Sequence, residues 1–293
     1  MKICLGSAQF GLNYGLTNKN GKVNKNQVFN LLDFAIENGI TLIDTSPSYG
    51  NAEITLGKYP QIKKFNICTK IDPIEGDSIT NCKLKKITSK VTSSLKTLNS
   101  NSFDTLLTHG PTDFLKKGNA ELFSTLKNLK SNGLVKNIGA SVYNVTQIES
   151  IIDQFEVDVL QVPISIFDQR LLNIGILQKV IDKGIKIQAR SIFLQGLVLE
   201  NPSNLGKFFN PIKANIKKFQ DTCSKENLTP LVACINFIKA ISHIDTAIVG
   251  VTSLAQLEGI LKANHREINN FDWSSFKIDQ EEFLNPTNWP VPS

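Results

Sequence analysis

The sequence predicts an α/β protein that folds as one (β/α)8 barrel over residues 1–293, with residues 265–293 forming a C-terminal tail packed on the barrel. Three observations favour this fold. Eight short apolar runs recur along the chain, and a stretch with helical periodicity follows each of them. No low-complexity segment interrupts this alternation, which argues against two domains. No GxGxxG motif follows the first apolar run, which argues against an open, doubly wound sheet.

The first half of the chain contains four predicted strand and helix units. In the first unit, Asn24 is a suitable N-cap, and Val28, Leu31 and Leu32 recur at helical spacing before Gly39 ends the helix. The predicted strands cover residues 3–5, 41–44, 65–69 and 103–107, and the helices after them cover residues 24–38, a short stretch from 52, 83–98 and 120–132.

The second half repeats the alternation four more times. The predicted strands cover residues 135–139, 157–162, 186–189 and 246–249, and the helices after them cover residues 145–154, 171–183, 231–241 and 254–263. A long irregular segment and a lysine-rich helix separate the seventh strand from the helix over 231–241. The tail carries four large aromatic residues that we expect to pack outside the barrel, namely Trp273, Phe276, Phe283 and Trp289.

Composition argues against nucleic-acid and membrane proteins. The net charge is +6, but the lysines are spread over the predicted helices among aspartates and glutamates, as on a solvated surface. No apolar run reaches the roughly 20 residues of a membrane span. The opening residues 1–6 are too short a stretch for a signal peptide. We therefore expect a cytoplasmic protein that binds neither nucleic acid nor membranes.

Cysteine and histidine usage predicts no disulfide and no metal. The five cysteines are scattered without a CxxC pair, so we expect reduced thiols in the core. The three histidines, His109, His243 and His265, lie far apart in sequence, whereas a metal site needs clustered ligands.

Chemically active side chains follow several predicted strands, and the C-terminal ends of barrel strands face one pocket. Asp44, Lys70 and His109 follow the second, third and fourth strands, and Tyr49 lies in the loop after the second. Reducing a carbonyl leaves an alkoxide that needs a proton, and a phenol with a pKa near ~10 is a weak acid. The Lys70 ammonium can favour the phenolate, Asp44 can hold that ammonium, and a neutral His109 can orient the carbonyl oxygen.

Each of these four residues also has a structural interpretation. Asp44 suits a helix N-cap, Lys70 an ordinary strand end, Tyr49 a packed turn, and His109 a buried histidine before Gly110. Four such residues at the strand ends of one barrel favour the catalytic interpretation.

Three segments resemble the catalytic segments of the aldo-keto reductase superfamily. They are LIDTSPSYGNAE at residues 42–53, CTK at 68–70 and LTH at 107–109, in the same order and at similar spacing. The resemblance implies Tyr49 as general acid, Lys70 and Asp44 as its electrostatic support, and His109 as the substrate-orienting group.

The resemblance continues through the second half and covers nearly the whole chain. It rests on IGASVYN at residues 138–144, LQVP at 160–163, ARSIFLQGL at 189–197 and VGVTSLAQL at 249–257. It implies that Ser141 and Gln161 bind the carboxamide of a nicotinamide cofactor. The other implied cofactor contacts are Arg190, Ser191, Phe193, Gln195, Gly196, Gly250, Thr252, Ser253 and Gln256. Gly250, Thr252 and Ser253 lie between the eighth strand and its helix, where backbone N–H groups at a helix start favour a phosphate, although Ser253 also suits a plain N-cap.

The sequence departs from the superfamily pattern at four positions. Gln256 stands where many members carry an arginine for the 2′-phosphate, and Ile260 stands where an asparagine contacts adenine. The implied cofactor is therefore NADPH or NADH. Ser165 replaces an asparagine of the nicotinamide site. Arg190 replaces a stacking aromatic residue, and it could stack in its place, contact a phosphate or bind an anionic substrate.

These features predict an NAD(P)H-dependent oxidoreductase that reduces an aldehyde, ketone or sugar carbonyl to an alcohol by hydride transfer. Gln9, Phe10, Tyr14 and Pro111 are the predicted substrate-pocket residues, and the polar mouth favours a sugar-like small molecule. Two alternatives stay open. One is a non-catalytic, nicotinamide-cofactor-binding regulatory protein on the same barrel, and the other is a Schiff-base aldolase that uses Lys70.

Overall fold

Eight parallel strands close into a barrel in the computed structural model, which describes residues 1–172, 175–268 and 270–290. The strands follow one another around the barrel in chain order, and the last pairs with the first. They are β1 Lys2–Gly6, β2 Leu42–Asp44, β3 Asn66–Ile71, β4 Phe103–Thr108, β5 Val135–Ser141, β6 Val159–Pro163, β7 Lys186–Arg190 and β8 Ile244–Gly250. This topology confirms the predicted (β/α)8 fold.

Helices connect the strands and surround the barrel. They are α1 Ala8–Gly11, α2 Lys25–Glu37, α3 Ala52–Gly57, α4 Asn81–Thr97, α5 Asn119–Ser131, α6 Val145–Ile152, α7 Ile176–Asp182, α8 Lys213–Lys225, α9 Pro230–Ala240, α10 Leu254–His265 and α11 Glu281–Leu284. None of the helices in the described ranges is long and apolar enough to cross a membrane.

Helix α2 shows how local sequence sets an element. The Asn24 side chain accepts a hydrogen bond from the Gln27 backbone N–H, which confirms the predicted N-cap. The predicted apolar positions Val28 and Leu31 are buried against the barrel. Gly39 follows the helix with a φ of 73°, a left-handed conformation that glycine adopts without a steric penalty.

Strand pairing extends several strands beyond the predicted apolar runs. β5 reaches Ser141 and β7 reaches Arg190, because each of these residues still pairs with a partner on β6. Strand β6 begins at Val159, where its pairing with β5 starts, instead of at the predicted residue 157. Backbone pairing, which the hydrophobic pattern does not show, therefore carries polar residues at the strand ends into the sheet.

Three helices differ from prediction. Helix α1, directly after β1, and helix α11 in the tail were not predicted. The helix expected over residues 171–183 begins only at Ile176, since Gly175 before it has a left-handed φ of 65° that an α-helix does not continue through. Residues 173 and 174 of that prediction lie outside the described residues.

The long segment after β7 contains three 3-10 turns, Leu194–Leu199, Pro202–Asn204 and Lys207–Ile212, before α8. Aromatic residues of the C-terminal segment pack against this part of the chain. The Phe276 ring lies 5.2 Å from the Phe219 ring of α8, and the Trp289 ring lies 5.1 Å from the Phe209 ring, between centroids. Residues 269 and 291–293 of the predicted tail lie outside the described residues.

All five cysteines are free thiols, as expected. Four of them are buried, but Cys82 on α4 is exposed, so the expectation of a core location is wrong for that residue. Among residues 1–172, 175–268 and 270–290, no three potential metal ligands come together.

Candidate active site

The C-terminal ends of the strands open into a cavity of about 830 Å³. It extends from the loops after β2 and β4 to the start of α10 and to residues 285–287 near the C-terminus. Sixteen of the predicted site residues line it, namely Gln9, Tyr14, Asp44, Tyr49, Lys70, His109, Ser141, Gln161, Arg190, Ser191, Phe193, Gln195, Gly196, Gly250, Thr252 and Gln256.

Three predicted site residues do not line the cavity. Phe10 on α1 is only 1% exposed and packs into the hydrophobic core. Pro111 lies after His109, outside the lining. Ser253 is the N-cap of α10, where its Oγ accepts from the Gln256 backbone N–H at 3.3 Å. The structure thus places Phe10 in the core instead of the cavity, the substrate contact of Pro111 stays a prediction, and the Ser253 hydroxyl caps α10.

Asp44 and Lys70 form a buried ion pair inside the barrel. The Lys70 Nζ donates to the two Asp44 carboxylate oxygens at 2.7 and 2.8 Å and to the Thr45 carbonyl at 3.0 Å. Burial is the largest single effect on Lys70, which is 2% exposed, and it opposes the charge. The Asp44 carboxylate, with smaller contributions from Tyr49 and Cys68, nevertheless holds the Lys70 pKa above its ordinary range. Lys70 is therefore an ammonium at neutral pH.

The Tyr49 phenol lies beside this ammonium. The Lys70 Nζ is 5.1 Å from the centroid of the Tyr49 ring. Burial raises the pKa of Tyr49 to about 12, and the Lys70 charge acts in the opposite direction. Lys70 thus favours the phenolate, as expected, but burial dominates and keeps the phenol protonated at neutral pH. The site therefore holds a protonated phenol beside a cation that can stabilise the phenolate.

His109 completes the group. Its ring meets the Tyr49 ring edge to face, with centroids 5.9 Å apart and planes at 87°. The Ser46 Oγ lies 3.3 Å from the His109 Nδ1. Burial, followed by the nearby Lys70 charge, lowers the pKa of His109 to about 4. The imidazole is therefore neutral at neutral pH, and it can act as a hydrogen-bonding group toward a carbonyl oxygen.

Close backbone contact positions the loop that carries Tyr49. A Cβ on Gly11 would lie 1.7 Å from the Tyr49 carbonyl oxygen, and a Cβ on Gly50 would lie 2.5 Å from the Gly11 carbonyl oxygen. Only glycine at position 11 lets helix α1 and the Tyr49 loop approach this closely. Helix α1, absent from the predicted elements, is thus part of what places the phenol.

Gln161 links the ion pair to β7. Its Nε2 donates to the Asp44 Oδ1 at 2.9 Å and to the Gln188 Oε1 at 3.2 Å. Gln188 was not among the predicted site residues, although its place between apolar residues on β7 is the alternation that points a polar residue into a barrel. Ser165, at the position of the superfamily asparagine, is fully buried, and its Oγ accepts from the Asp168 backbone N–H at 3.0 Å.

Arg190 and Tyr143 form a stacked pair in the cavity wall. The guanidinium carbon of Arg190 lies 4.3 Å from the centroid of the Tyr143 ring, and Nη2 donates to the Val142 carbonyl at 3.1 Å. Tyr143 lines the cavity but was not predicted as a site residue. Its place two residues after Ser141, at the end of β5, was the available signal.

Loops after β1 and β7 meet across the cavity wall. The Gln195 Nε2 donates to the Tyr14 hydroxyl at 3.3 Å, and a Cβ on Gly196 would lie 2.1 Å from the Thr17 Oγ1. Ser191 and Gln195 have left-handed φ angles of 58° and 53°. Such strain in a non-glycine residue is typical of ligand-binding segments.

The far end of the cavity has features that suit a nucleotide. The Thr252 N–H and Oγ1 both donate to the Gln256 Oε1, at 2.7 and 3.2 Å, at the start of α10. Between β2 and β8, in the cavity lining, the Ser7 Oγ and Gln9 Oε1 are buried without a hydrogen-bond partner among the described residues. The helix start suits a phosphate, and unpartnered buried polar atoms suit a ligand with polar groups.

Comparisons with known proteins identify the family of the chain. A statistical model of the aldo/keto reductase family matches residues 2–278. The NADH-specific methylglyoxal reductase of Escherichia coli is 31% identical over 180 residues, which are 55% of this chain and 54% of that protein. The matched segment therefore spans about half the length of that relative. The aldo-keto reductase YhdN of Bacillus subtilis is 24% identical over 263 residues, 81% of this chain and 78% of that protein.

Solved structures share the fold. An aldo-keto reductase of Bacillus halodurans in its holo form superposes with a TM-score of 0.75 at 17% identity, covering 94% of this chain and 90% of that one. The glycerol dehydrogenase of Gluconobacter oxydans gives 0.71 at 19% identity, covering 99% and 93%. These structures show the fold, and the match over residues 2–278 shows that the chain belongs to the aldo/keto reductase family.

Proposed function

We propose that this protein reduces the carbonyl group of a small molecule to an alcohol with NADPH or NADH, and that Tyr49 is the proton donor. One observation carries the proposal. A protonated phenol, a neutral imidazole and a lysine kept charged by a buried carboxylate meet at one end of a cavity of about 830 Å³.

The wall residues support a place for the cofactor. Ser141 and Gln161 are the proposed contacts of the carboxamide, next to the catalytic group. Ser191, Phe193, Gln195 and Gly196 after β7, and Gly250, Thr252 and Gln256 after β8, are proposed to contact the phosphates and the adenosine. When bound, the dihydronicotinamide supplies a hydride to the carbonyl carbon.

The proton comes from this chain's own residues. The Tyr49 hydroxyl gives its proton to the carbonyl oxygen as negative charge develops there, and the Lys70 ammonium stabilises the phenolate that remains. Asp44 holds the ammonium in place. A neutral His109 donates a hydrogen bond to the same carbonyl oxygen, which orients it toward the Tyr49 hydroxyl. General acid catalysis of this kind contributes roughly 10²- to 10⁴-fold to a rate.

The state of Lys70 argues against the aldolase alternative. A Schiff base forms only from a neutral amine, whereas the Lys70 pKa lies above its ordinary range because of Asp44. The regulatory alternative leaves the acid, its supporting cation and the orienting imidazole without a use. The reductase therefore accounts for more of the site than either alternative.

The relatives suggest where a substrate search should begin. One is named for methylglyoxal, and another, 30% identical over 124 residues covering 39% of this chain and 36% of that protein, is the D-arabinose 1-dehydrogenase of Saccharomyces cerevisiae. Both compounds are small and polar. The polar residues Gln9 and Tyr14 in the cavity wall are consistent with a sugar-like substrate.

The test combines binding and turnover. Purified protein is titrated with NADH and NADPH, with the nicotinamide fluorescence as the signal, and then assayed with methylglyoxal and with D-arabinose in both reaction directions. We expect saturable binding of at least one cofactor and carbonyl-dependent oxidation of it. Binding without turnover of any carbonyl in a wider screen would favour the regulatory alternative, and no binding of either cofactor would contradict the proposal.

A further inference from the structure

Arg190 is a cation of the cavity wall that is held by neutral groups. It is the last residue of β7, with its guanidinium stacked on the Tyr143 ring at 4.3 Å. Nη2 donates to the Val142 carbonyl at 3.1 Å and Nη1 to the Ser191 hydroxyl at 3.3 Å. These contacts fix the plane of the guanidinium without neutralising its charge.

Most of the donor capacity of Arg190 is unused. An arginine carries five N–H donors, and two of them have partners here. The Nε is buried without a hydrogen-bond partner, and within the described part of the chain no carboxylate forms an ion pair with Arg190. By contrast, Lys70 in the same cavity is paired with Asp44, and Arg170 elsewhere is paired with Asp168 at 2.8 Å. A partly desolvated cation with spare donors is a site for an anion.

The position of Arg190 places that anion near the reacting carbonyl. Arg190 pairs in register with Pro163 on β6, and Gln161, two residues earlier on β6, donates to the Asp44 carboxylate. The charge of Arg190 also reaches His109, where it adds to the effects of burial and Lys70 that lower the imidazole pKa. Arg190 therefore belongs to the catalytic end of the cavity. The start of α10, which suits a phosphate, follows a different strand, β8.

Stacking on a nicotinamide ring would not use these donors. The N–H groups of a guanidinium lie in its plane, and a ring on its face offers them no acceptor. A carboxylate does, because its two oxygens match two terminal N–H groups. Nη1 and Nη2 each retain one N–H after their contacts with Ser191 and Val142.

We infer that Arg190 binds a carboxylate of the substrate, so that the preferred substrates are carbonyl acids, such as aldehyde acids and uronic acids, over neutral carbonyls of the same size. This inference rests on the proposed function, because it specifies the substrate class of the same cavity. It gives Arg190 a role in specificity that is separate from proton transfer.

Paired probes test the inference. Succinic semialdehyde is compared with butanal, and D-glucuronate with D-glucose, in the wild type, Arg190→Met and Arg190→Lys. We expect Arg190→Met to lower kcat/KM for the acids by roughly 10- to 100-fold, the effect of a lost charge-assisted hydrogen bond. Arg190→Lys should lose less, since lysine keeps the charge but not the planar fork. The readout is the ratio of kcat/KM for each acid to that for its neutral partner, so that a loss common to both partners cancels.

A second control separates this site from charge in general. Arg266→Met removes an exposed arginine that lies outside the cavity lining, and it should retain the preference for acids. Calorimetric titration with NADH tests whether Arg190 contacts the cofactor instead. The Kd of NADH should be the same in Arg190→Met as in the wild type. Weaker NADH binding with an intact acid preference would make Arg190 a ligand of a cofactor phosphate and overturn the inference.

Failure of the inference and failure of the proposed function give different results. A wild type that reduces neutral carbonyls as well as the acids contradicts the inference and leaves the reductase standing. If no carbonyl is reduced, the proposed function fails, and calorimetric binding of succinate to the NADH-loaded protein still decides the role of Arg190. We expect saturable succinate binding that Arg190→Met abolishes, and no succinate binding to the wild type would overturn the inference.

Discussion

The Lys70 ammonium lies 2.7 and 2.8 Å from the two carboxylate oxygens of Asp44, inside a barrel where both side chains are almost fully buried. Burial alone would drive Lys70 toward its neutral form, and Asp44 makes the largest of the contributions that reverse that tendency. Asp44 therefore maintains the charge on which the proposed action of Tyr49 depends, although it need not touch the substrate.

Asp44→Asn should leave the Lys70 charge buried without its partner. We expect a loss of stability of about 3–5 kcal/mol, as when one member of a buried ion pair is removed, and a large fall in kcat. Urea unfolding measures the first effect. The matched control is Asp221→Asn, which breaks an exposed pair with Lys217 and should cost at most about 1 kcal/mol. Equal losses in the two variants would contradict this account of the pair.

Activity should be nearly independent of pH across the neutral range. The reaction requires neutral His109, whose pKa is about 4, and protonated Tyr49, whose pKa is about 12. The kcat/KM profile should therefore fall on the acid side near pH 4 and on the alkaline side near pH 12, unless the fold is lost first. A fall centred near pH 6.5 would show that His109 titrates as an ordinary histidine.

Stability should also depend on His109. Its pKa is lower in the folded protein than the ordinary value near 6.5, so the unfolded chain binds more protons between the two values. The contribution of the neutral imidazole is present above about pH 6.5 and is lost as the pH falls toward 4. Urea unfolding at several pH values should show a smaller slope in this window for His109→Gln than for the wild type, and identical slopes would contradict the shift.

Gly11→Ala should displace the loop that carries Tyr49 while leaving every proposed catalytic side chain in the sequence. The added Cβ would meet the Tyr49 carbonyl oxygen at 1.7 Å, so helix α1 and the loop must separate. We expect kcat to fall by roughly 10-fold or more, because small displacements of a catalytic group have large effects on rate. Gly206→Ala is the control, since nothing lies within 4 Å of a Cβ at that position. Normal turnover in Gly11→Ala would show that this contact does not position the phenol.

Gln256→Arg should change the choice of cofactor. The Gln256 oxygen now accepts two hydrogen bonds from Thr252 at the start of α10. Replacing it with a guanidinium frees those donors and adds a charge that suits a 2′-phosphate. NADPH affinity relative to NADH should rise by roughly 10-fold in fluorescence titrations. Gln178→Arg, on α7 and outside the cavity lining, should leave the ratio unchanged, and no change in either variant would place the 2′-phosphate elsewhere.

The fold was predictable because its signals are local. Apolar runs, helical periodicity and caps such as Asn24 identify barrel strands and helices without knowledge of contacts. The same rule that brings strand ends together also predicted that Asp44, Lys70 and His109 share one cavity. Helix α1 gave no such signal, since four residues are too few for a periodicity.

The remaining site residues depend on packing that sequence patterns do not record. Phe10 looked like a pocket residue because it follows β1, but α1 turns it into the core. Tyr143 joins the cavity through its stack on Arg190, a contact between residues 47 positions apart in sequence. The lining at residues 285–287 comes from a segment far from any strand end. Such contacts follow from the path of loops, which only the three-dimensional structure gives.

Single-turnover hydride transfer in Tyr49→Phe tests the central claim most directly. Excess protein loaded with NADH is mixed with the best carbonyl from the screen, and the decay of nicotinamide absorbance is followed. Tyr59→Phe is the control, since that hydroxyl donates to Asp33 away from the cavity lining. We predict that Tyr49→Phe binds NADH as the wild type does but transfers the hydride roughly 10²- to 10⁴-fold more slowly, while Tyr59→Phe transfers it normally. Wild-type rates in Tyr49→Phe would contradict the assignment of Tyr49 as the proton donor.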